Sequence, residues 1–254
     1  MAEWPGDARR HPSRGEATYT VRAPLARWLE QEGARAGGLR VLDVGCGVKP
    51  YYPWFASATS YVGVDVVENP AADLVGAIES LPVEDGSFDL VLCNQVLEHC
   101  DDPAAGVREL RRVTAPGGRV LASTHGVQVY HPSPNDLWRW THAGLEKLFR
   151  DNGDWASLEI RPGAGSTACI GMLLTHYIEL LAGRAHVRAA AGLAGVYYHL
   201  AANLEFQRET DPALRGSALF WKALHATVPP ALAPGVMVQL GLVGLAYTYR
   251  HKER

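Results

Sequence analysis

The chain has 254 residues, 47% of them apolar and 20% charged, with a formal net charge of -3 at pH 7. A length of this order buries one substantial core, so a single large α/β domain, or a core with an added subdomain, suffices. The charge balance excludes the basic field that draws in nucleic acid, and basic residues are almost all Arg, with Lys only at 49, 147, 222 and 252.

Met1 to Ala17 is rich in charge, Pro and Gly and has no apolar period, which predicts a mobile arm. From about Thr18, Val21, Leu25, Trp28 and Leu29 recur at the spacing of one helical face, and the helix is expected to stop before Gly37-Gly38. Arg40-Val-Leu-Asp-Val-Gly45 is a short apolar run closing on glycine, the signature of a buried strand feeding a turn. A short helix near Tyr51 to Ala58 follows, then strands at Tyr61 to Asp65 and near Ala72 to Gly76. Phe88 to Asn94 predicts a fourth strand. A helix begins near Asp102-Pro103, where Asp caps and Pro opens the first turn; Val107, Leu110 and Val113 form its buried face. The turn Ala115-Pro-Gly-Gly118 leads to a fifth strand, Arg119 to Ser123, and a helix runs from about Thr141 to Arg150.

Repeated strand and helix units predict a doubly wound α/β sheet covered on both faces. After Ser157 to Arg161, expected as a sixth strand, the alternation lapses for about eighty residues, too long for a loop. Ile170 to Leu181, Val187 to Leu204 and Leu219 to Ala226 read as helices, before a last strand within Leu242 to Tyr249. The expected organisation is therefore an arm over 1–17, a core over 18–165, and over 166–254 a helical insertion, as lid or dimer contact, with the final strand. Val228 to Tyr249 carries no charge and is long enough to span a membrane, but Pro229, Pro230 and Pro234 break it, which favours a buried strand after a loop. No stable membrane insertion is expected. Cys46, Cys93, Cys100 and Cys169 form no C-x-x-C pair, and no signal peptide precedes them, so a cytoplasmic location is expected.

In an open α/β sheet, ligands sit outside the carboxyl ends of the strands. Val41-Leu-Asp-Val-Gly-Cys-Gly47 delivers an acid and two glycines to such an end, and Gly45 and Gly47 let the backbone pass close to a ligand. A dinucleotide fingerprint needs a third glycine at position 50, which is Pro50. Asp65, ending the second strand, is placed to accept bonds from both ribose hydroxyls of an adenosine.

Taken together, Val41 to Gly47, Tyr61 to Asp65, Leu81-Pro-Val-Glu-Asp-Gly-Ser-Phe-Asp-Leu-Val-Leu-Cys-Asn-Gln-Val-Leu-Glu-His99 and Glu109-Leu-Arg-Arg-Val-Thr-Ala-Pro-Gly-Gly118 resemble the successive motifs of class I S-adenosylmethionine-dependent methyltransferases, in order over about residues 40 to 161. His131-Pro-Ser-Pro-Asn-Asp-Leu-Trp-Arg-Trp-Thr141 is similar to a bacterial subgroup acting on small molecules, some linked to glycan or natural-product gene clusters. The resemblance implies a seven-stranded Rossmann-like sheet. It implies that Asp43, Gly45, Cys46 and Gly47 surround the methionine part and ribose, that Asp65 and Val66 hold the ribose and adenine edge, and that Asn94 and Gln95 face the sulfonium. Where the family places an acid against the adenine amino group, this chain has Ala77, which leaves Ile78 to contact adenine.

Methyl transfer from a sulfonium needs alignment more than side-chain chemistry, though a hydroxyl acceptor must also lose its proton, a task suited to His. His99, His125 and His131 all follow predicted strand ends. His125 and His131 are the candidate bases and His99 a candidate substrate contact; each also suits a capping or loop-ordering role. Trp138, Arg139 and Trp140 form either an aromatic and cationic wall over the substrate or a loop anchor. Related enzymes often close an N-terminal helix over the site, which makes Tyr19 a further candidate. Cys93 and Cys100 read as packing residues, and His176, His186, His199 and His225 show no ligand pattern, so no metal is expected.

The expected function is methyl transfer from S-adenosylmethionine to O, with N or C behind it, on a small molecule, with a homodimer compatible. Two rivals remain: the same fold running a non-methylating reaction such as cyclisation, and a non-catalytic binding or scaffold protein.

Overall fold

The computed structural model describes residues 4–13, 16, 18–131, 135–163, 165, 168–173 and 176. The chain divides into two compact units, Met1–Ser13 with Val21–Gly163, and Arg14–Thr20 with Ala164–Arg254. In the second unit residues 168–173 are helical. The rest of the expected helical insertion, the helices at 187–204 and 219–226 and the strand within 242–249 lie outside the described residues.

The first unit is built on five parallel strands: β1 (Arg40–Val44), β2 (Ser60–Asp65), β3 (Leu74–Val75), β4 (Phe88–Asn94) and β5 (Thr114–Ser123). Their spatial order is β3-β2-β1-β4-β5. Successive side chains alternate between faces, so Leu42, Val44, Val91 and Cys93 pack on one side with α3 (Pro103–Val113) and Phe149 of α4 (His142–Asn152). Val41, Leu90 and Leu92 pack on the other with Leu25 and Leu29 of α2 (Tyr19–Gly33) and with Tyr51 and Phe55. Each fully buried Leu contributes about 1.5–3 kcal/mol relative to exposure.

The helices begin as the residues dictate. Asp102 caps α3 by accepting from Ala104 N at 2.9 Å and Ala105 N at 3.0 Å, and Thr141 caps α4 through Gly144 N at 3.0 Å. The expected helix at 51–58 is a short 3-10 turn, Tyr52–Phe55. The expected turn at 115–118 falls inside β5: Phe88 pairs Thr114 while Leu90 pairs Arg119, so the glycine-bearing turn is looped out as a bulge.

Two expectations are corrected. The N-terminal segment is tied down over residues 4–13: Asp7–Arg10 form a one-turn helix, α1, Trp4 Nε1 donates to Lys49 O at 2.8 Å, and the Arg10 guanidinium bonds the Pro50 carbonyl. An indole and a buried guanidinium supply the anchoring that the polar composition conceals. Residues 157–161 are not in a strand. Leu158 and Ile160 are nevertheless half-buried while Ser157, Glu159 and Arg161 are exposed, so the alternation reports one-sided burial without a backbone ladder.

Candidate active site

The chain leaves β1 towards β2 and β3 on one side, then crosses back to β4 on the other, so the strand order reverses between β1 and β4. That reversal opens a crevice outside the carboxyl ends of the two strands. Val44 is in register with Val64 and Cys93, and Cys93 with Ala122, so Gly45, Asp65, Asn94 and Ser123 emerge at one level. Among the described residues the non-glycine positions with left-handed backbone are Lys49, at φ 49°, and Gln95, at φ 59°, and both lie at this end. Such strain persists only where the surroundings enforce it, and it concentrates at functional sites.

On the β1 and β2 side, Gly45 and Gly47 have φ of 67° and 51°. A Cβ at Gly47 would meet nothing within 4 Å, whereas one at Gly45 would lie 2.3 Å from Val96 Cγ2, so Gly45 is required by protein packing and Gly47 borders open space. Asp65 accepts from Gly47 N at 2.8 Å and Val67 N at 3.0 Å, which braces the turn and leaves lone pairs for a ligand. Asp43 is buried and accepts from the Tyr61 hydroxyl at 2.6 Å; burial pushes its carboxyl up to about 6, offset in part by Tyr61, Lys49 and Arg9. Burial pushes the Cys46 thiol up to about 12, and its sulfur lies 2.7 Å from where a Gly63 Cβ would stand. Lys49 pairs with Asp73, which also accepts from Gly63 N at 2.7 Å. Val66 and Ala77 are exposed, while the Ile78 side chain turns into the core, packed against Gly106.

At the end of β4, Ser123 Oγ bridges Asn94 Oδ1 at 3.3 Å and Gln95 Nε2 at 3.1 Å. The Asn94 Nδ2 donor is buried without a hydrogen-bond partner among the described residues.

Beyond β4 and β5 the histidines converge. Glu98 is fully buried; one oxygen accepts from Thr124 Oγ1 at 2.8 Å and the other lies 3.3 Å from His125 Nε2. Burial pushes the Glu98 carboxyl up, and burial with neighbouring His131, Arg139 and His99 pushes the His125 imidazole down to about 4. Both shifts have burial as their largest cause, which disfavours the charged form of each group. The His131 ring lies 5.3 Å from His125 and 5.2 Å from His99.

Arg139, expected on a substrate wall or as a loop anchor, forms a clamp: it forks onto Asp136 and also donates to Trp138 O at 2.8 Å and Val129 O at 3.1 Å. Trp138 donates to Cys100 O at 2.8 Å and stacks on Trp140 with 5.7 Å between centroids. These bonds tie down the loop after β5. Tyr19 opens α2. Sequence reasoning missed Glu98, Lys49 and Asp136; for Glu98 the available signal was an acid inside the apolar run Val96-Leu-Glu-His-Cys100.

Among the described residues no helix is long and apolar enough to cross a membrane, and the apolar stretch 228–249 lies outside them. Residues 42–122 match the sequence model of the methyltransferase domain family. The chain is 40% identical over 126 residues to a malonyl-[acyl-carrier protein] O-methyltransferase of Erwinia pyrifoliae, covering 44% of this chain and 48% of that protein. It is 35% identical over 113 residues to a ubiquinone biosynthesis O-methyltransferase of Bordetella bronchiseptica, covering 38% and 47%. The chain thus spans about half the length of the curated relatives it matches. Over residues 42–122 the chain is thus similar to a methyltransferase domain, and both relatives it matches are methyltransferases.

Proposed function

We propose that the protein transfers the methyl group of S-adenosylmethionine to an oxygen of a small molecule, with a hydroxyl the favoured acceptor. The observation that carries the reading is the concentration, at the β1/β4 reversal, of open space at Gly47, a braced Asp65 and an unpartnered Asn94 amide. This donor and acceptor set fits the methyl donor. Asp65 would hold the ribose hydroxyls, the turn from Asp43 through Gly45, Cys46 and Gly47 the methionine portion, and Asn94 with Gln95 the sulfonium side. Val66 would cover one adenine edge; Ala77 brings no acid and Ile78 keeps its side chain in the core, so the backbone of this segment would meet the other.

When bound, the donor supplies an activated methyl on a positively charged sulfur, which leaves alignment and proton removal to the protein. Of the two candidate bases, His125 is better backed, because Glu98 lies 3.3 Å from its Nε2 and would stabilise the imidazolium formed as the acceptor loses its proton. His131 packs beside it, and His99 and Trp138 would border the acceptor. Both relatives named above are O-methyltransferases, which supports an oxygen acceptor.

Calorimetry with S-adenosylhomocysteine, followed by label transfer from methyl-labelled donor to hydroxylated and carboxylated acceptors, tests the reading. Asp65→Ala is expected to lose about 1.5–3 kcal/mol of affinity, roughly 10- to 150-fold in Kd, with the fold retained. Absence of heat with both donor and product, or product formation without label, would refute it.

A further inference from the structure

Two members of the histidine cluster, together with Asp136, are arranged for more than loop packing. One ring nitrogen from each of His99 and His131 and one carboxylate oxygen of Asp136 all lie within 4.8 Å of one another. We propose that His99, His131 and Asp136 bind a single borderline divalent cation, with zinc as the type, bridging the turn after β4 and the loop after β5. The site does not depend on the methyl-transfer reading.

Each ligand is prepared by its neighbours. His131 Nε2 is buried with no hydrogen-bond partner among the described residues and stands 3.8 Å from Asp136 Oδ1. A buried ring nitrogen left unsatisfied is costly, and a missing ion is one standard explanation. Around tetrahedral zinc, with bonds of about 2.0–2.2 Å, ligand atoms stand roughly 3.3–3.6 Å apart, so this pair needs to close by only a few tenths of an ångström. The half-exposed His99 ring offers its nitrogen within 4.8 Å of the other two ligand atoms.

His99 Nδ1 bonds the Asn135 carbonyl, which fixes the proton on Nδ1 and leaves Nε2 as a lone-pair donor. Metal-ligating histidines use this outer contact. Asp136 is oriented in the same manner. A carboxylate offers about four lone-pair positions. The Arg139 fork takes one on each oxygen, and His131 N takes a second on Oδ2 at 2.9 Å. What remains is the second lone pair of Oδ1, the oxygen nearest the orphaned His131 nitrogen.

Two imidazoles and one carboxylate suit zinc over the hard cations, which prefer all-oxygen shells. Three protein ligands also leave a coordination position open to an oxygen ligand, the arrangement of catalytic zinc.

The test is titration of the untagged full chain, cleared with chelator, using zinc by calorimetry and cobalt by visible absorption, without methyl donor. One tight site per chain is expected, with d–d bands of a four- or five-coordinate ion. His131→Ala and His99→Ala should each weaken binding by about 100-fold or more. His142→Ala, exposed at the start of α4, should leave binding unchanged, and thermal melts would verify that all variants fold. No site tighter than background, or affinity unmoved by both His131→Ala and His99→Ala, overturns the proposal. Because no turnover is read, that failure leaves the methyl-transfer reading intact, and failure of the donor to bind leaves this one intact.

Discussion

Asp43 gives the protein a pH-dependent stability that a single substitution isolates. The carboxyl is only 4% exposed, and burial raises it from its ordinary 3.8 to about 6. The folded state therefore holds this proton more tightly than the unfolded chain does. For this group, stability is greatest below about pH 3.8, falls as pH rises from there towards 6, and stays lower above. The interval corresponds to about 3 kcal/mol, at about 1.36 kcal/mol per pH unit. Asp43→Asn keeps an acceptor for the Tyr61 hydroxyl but does not titrate. Other carboxylates titrate alike in both proteins, so the difference between them isolates position 43. Urea unfolding followed by tryptophan fluorescence across pH 3.5 to 7.5, without methyl donor, should show the variant gaining about 3 kcal/mol on the wild type as pH rises, most of it between 3.8 and 6. Tyr61→Phe, which removes the 2.6 Å donor, should move the upper limit of that window higher. A flat difference across the range, or wild type gaining on the variant, would refute the assignment of a buried, raised carboxyl.

The two glycines of the first turn should respond differently to alanine. Gly47→Ala carries only the left-handed backbone penalty, about 1–2 kcal/mol. Gly45→Ala adds the 2.3 Å approach to Val96 Cγ2 and should destabilise more in denaturant titration, with Val96→Ala restoring part of the loss; equal effects at the two positions would contradict the packing argument. Asp102→Ala removes the acceptor for Ala104 N and Ala105 N and should cost about 0.5–2 kcal/mol by thermal melting, since both donors open a helix.

The elements that frame the crevice at the strand-order reversal were legible because each is encoded locally. The strands β1, β2 and β4 are apolar runs ending in Gly45, Asp65 and Asn94, so their order and the site they frame follow from short stretches read one after another. Long-range contacts were not legible. Trp4 and Arg10 bond Lys49 O and Pro50 O across some forty residues, and no local pattern in a polar, Pro-bearing segment encodes that docking. At 157–161 the alternation encodes burial of Leu158 and Ile160 but says nothing of a partner strand, which is what a ladder requires. Arg139 was read by its charge, yet an exposed-looking cation beside an acid three residues earlier is equally the pattern of a self-contained clamp, and the Asp136 fork is what forms.

The same division explains why the donor side of the site was read more fully than the acceptor side. The proposed donor contacts lie on turns directly after β1, β2 and β4, whose placement is fixed by parallel pairing and the strand-order reversal. The proposed acceptor side rests on Glu98 meeting His125 and Thr124, and on His99 meeting His131 and Asn135, contacts between the turn after β4 and the loop after β5. A carboxyl group as deeply buried as Glu98 needs polar partners, and Thr124 and His125 come from the loop that Arg139 and Trp138 hold in place. On the proposed function, an acceptor would therefore meet a loop already locked by the Asp136 clamp.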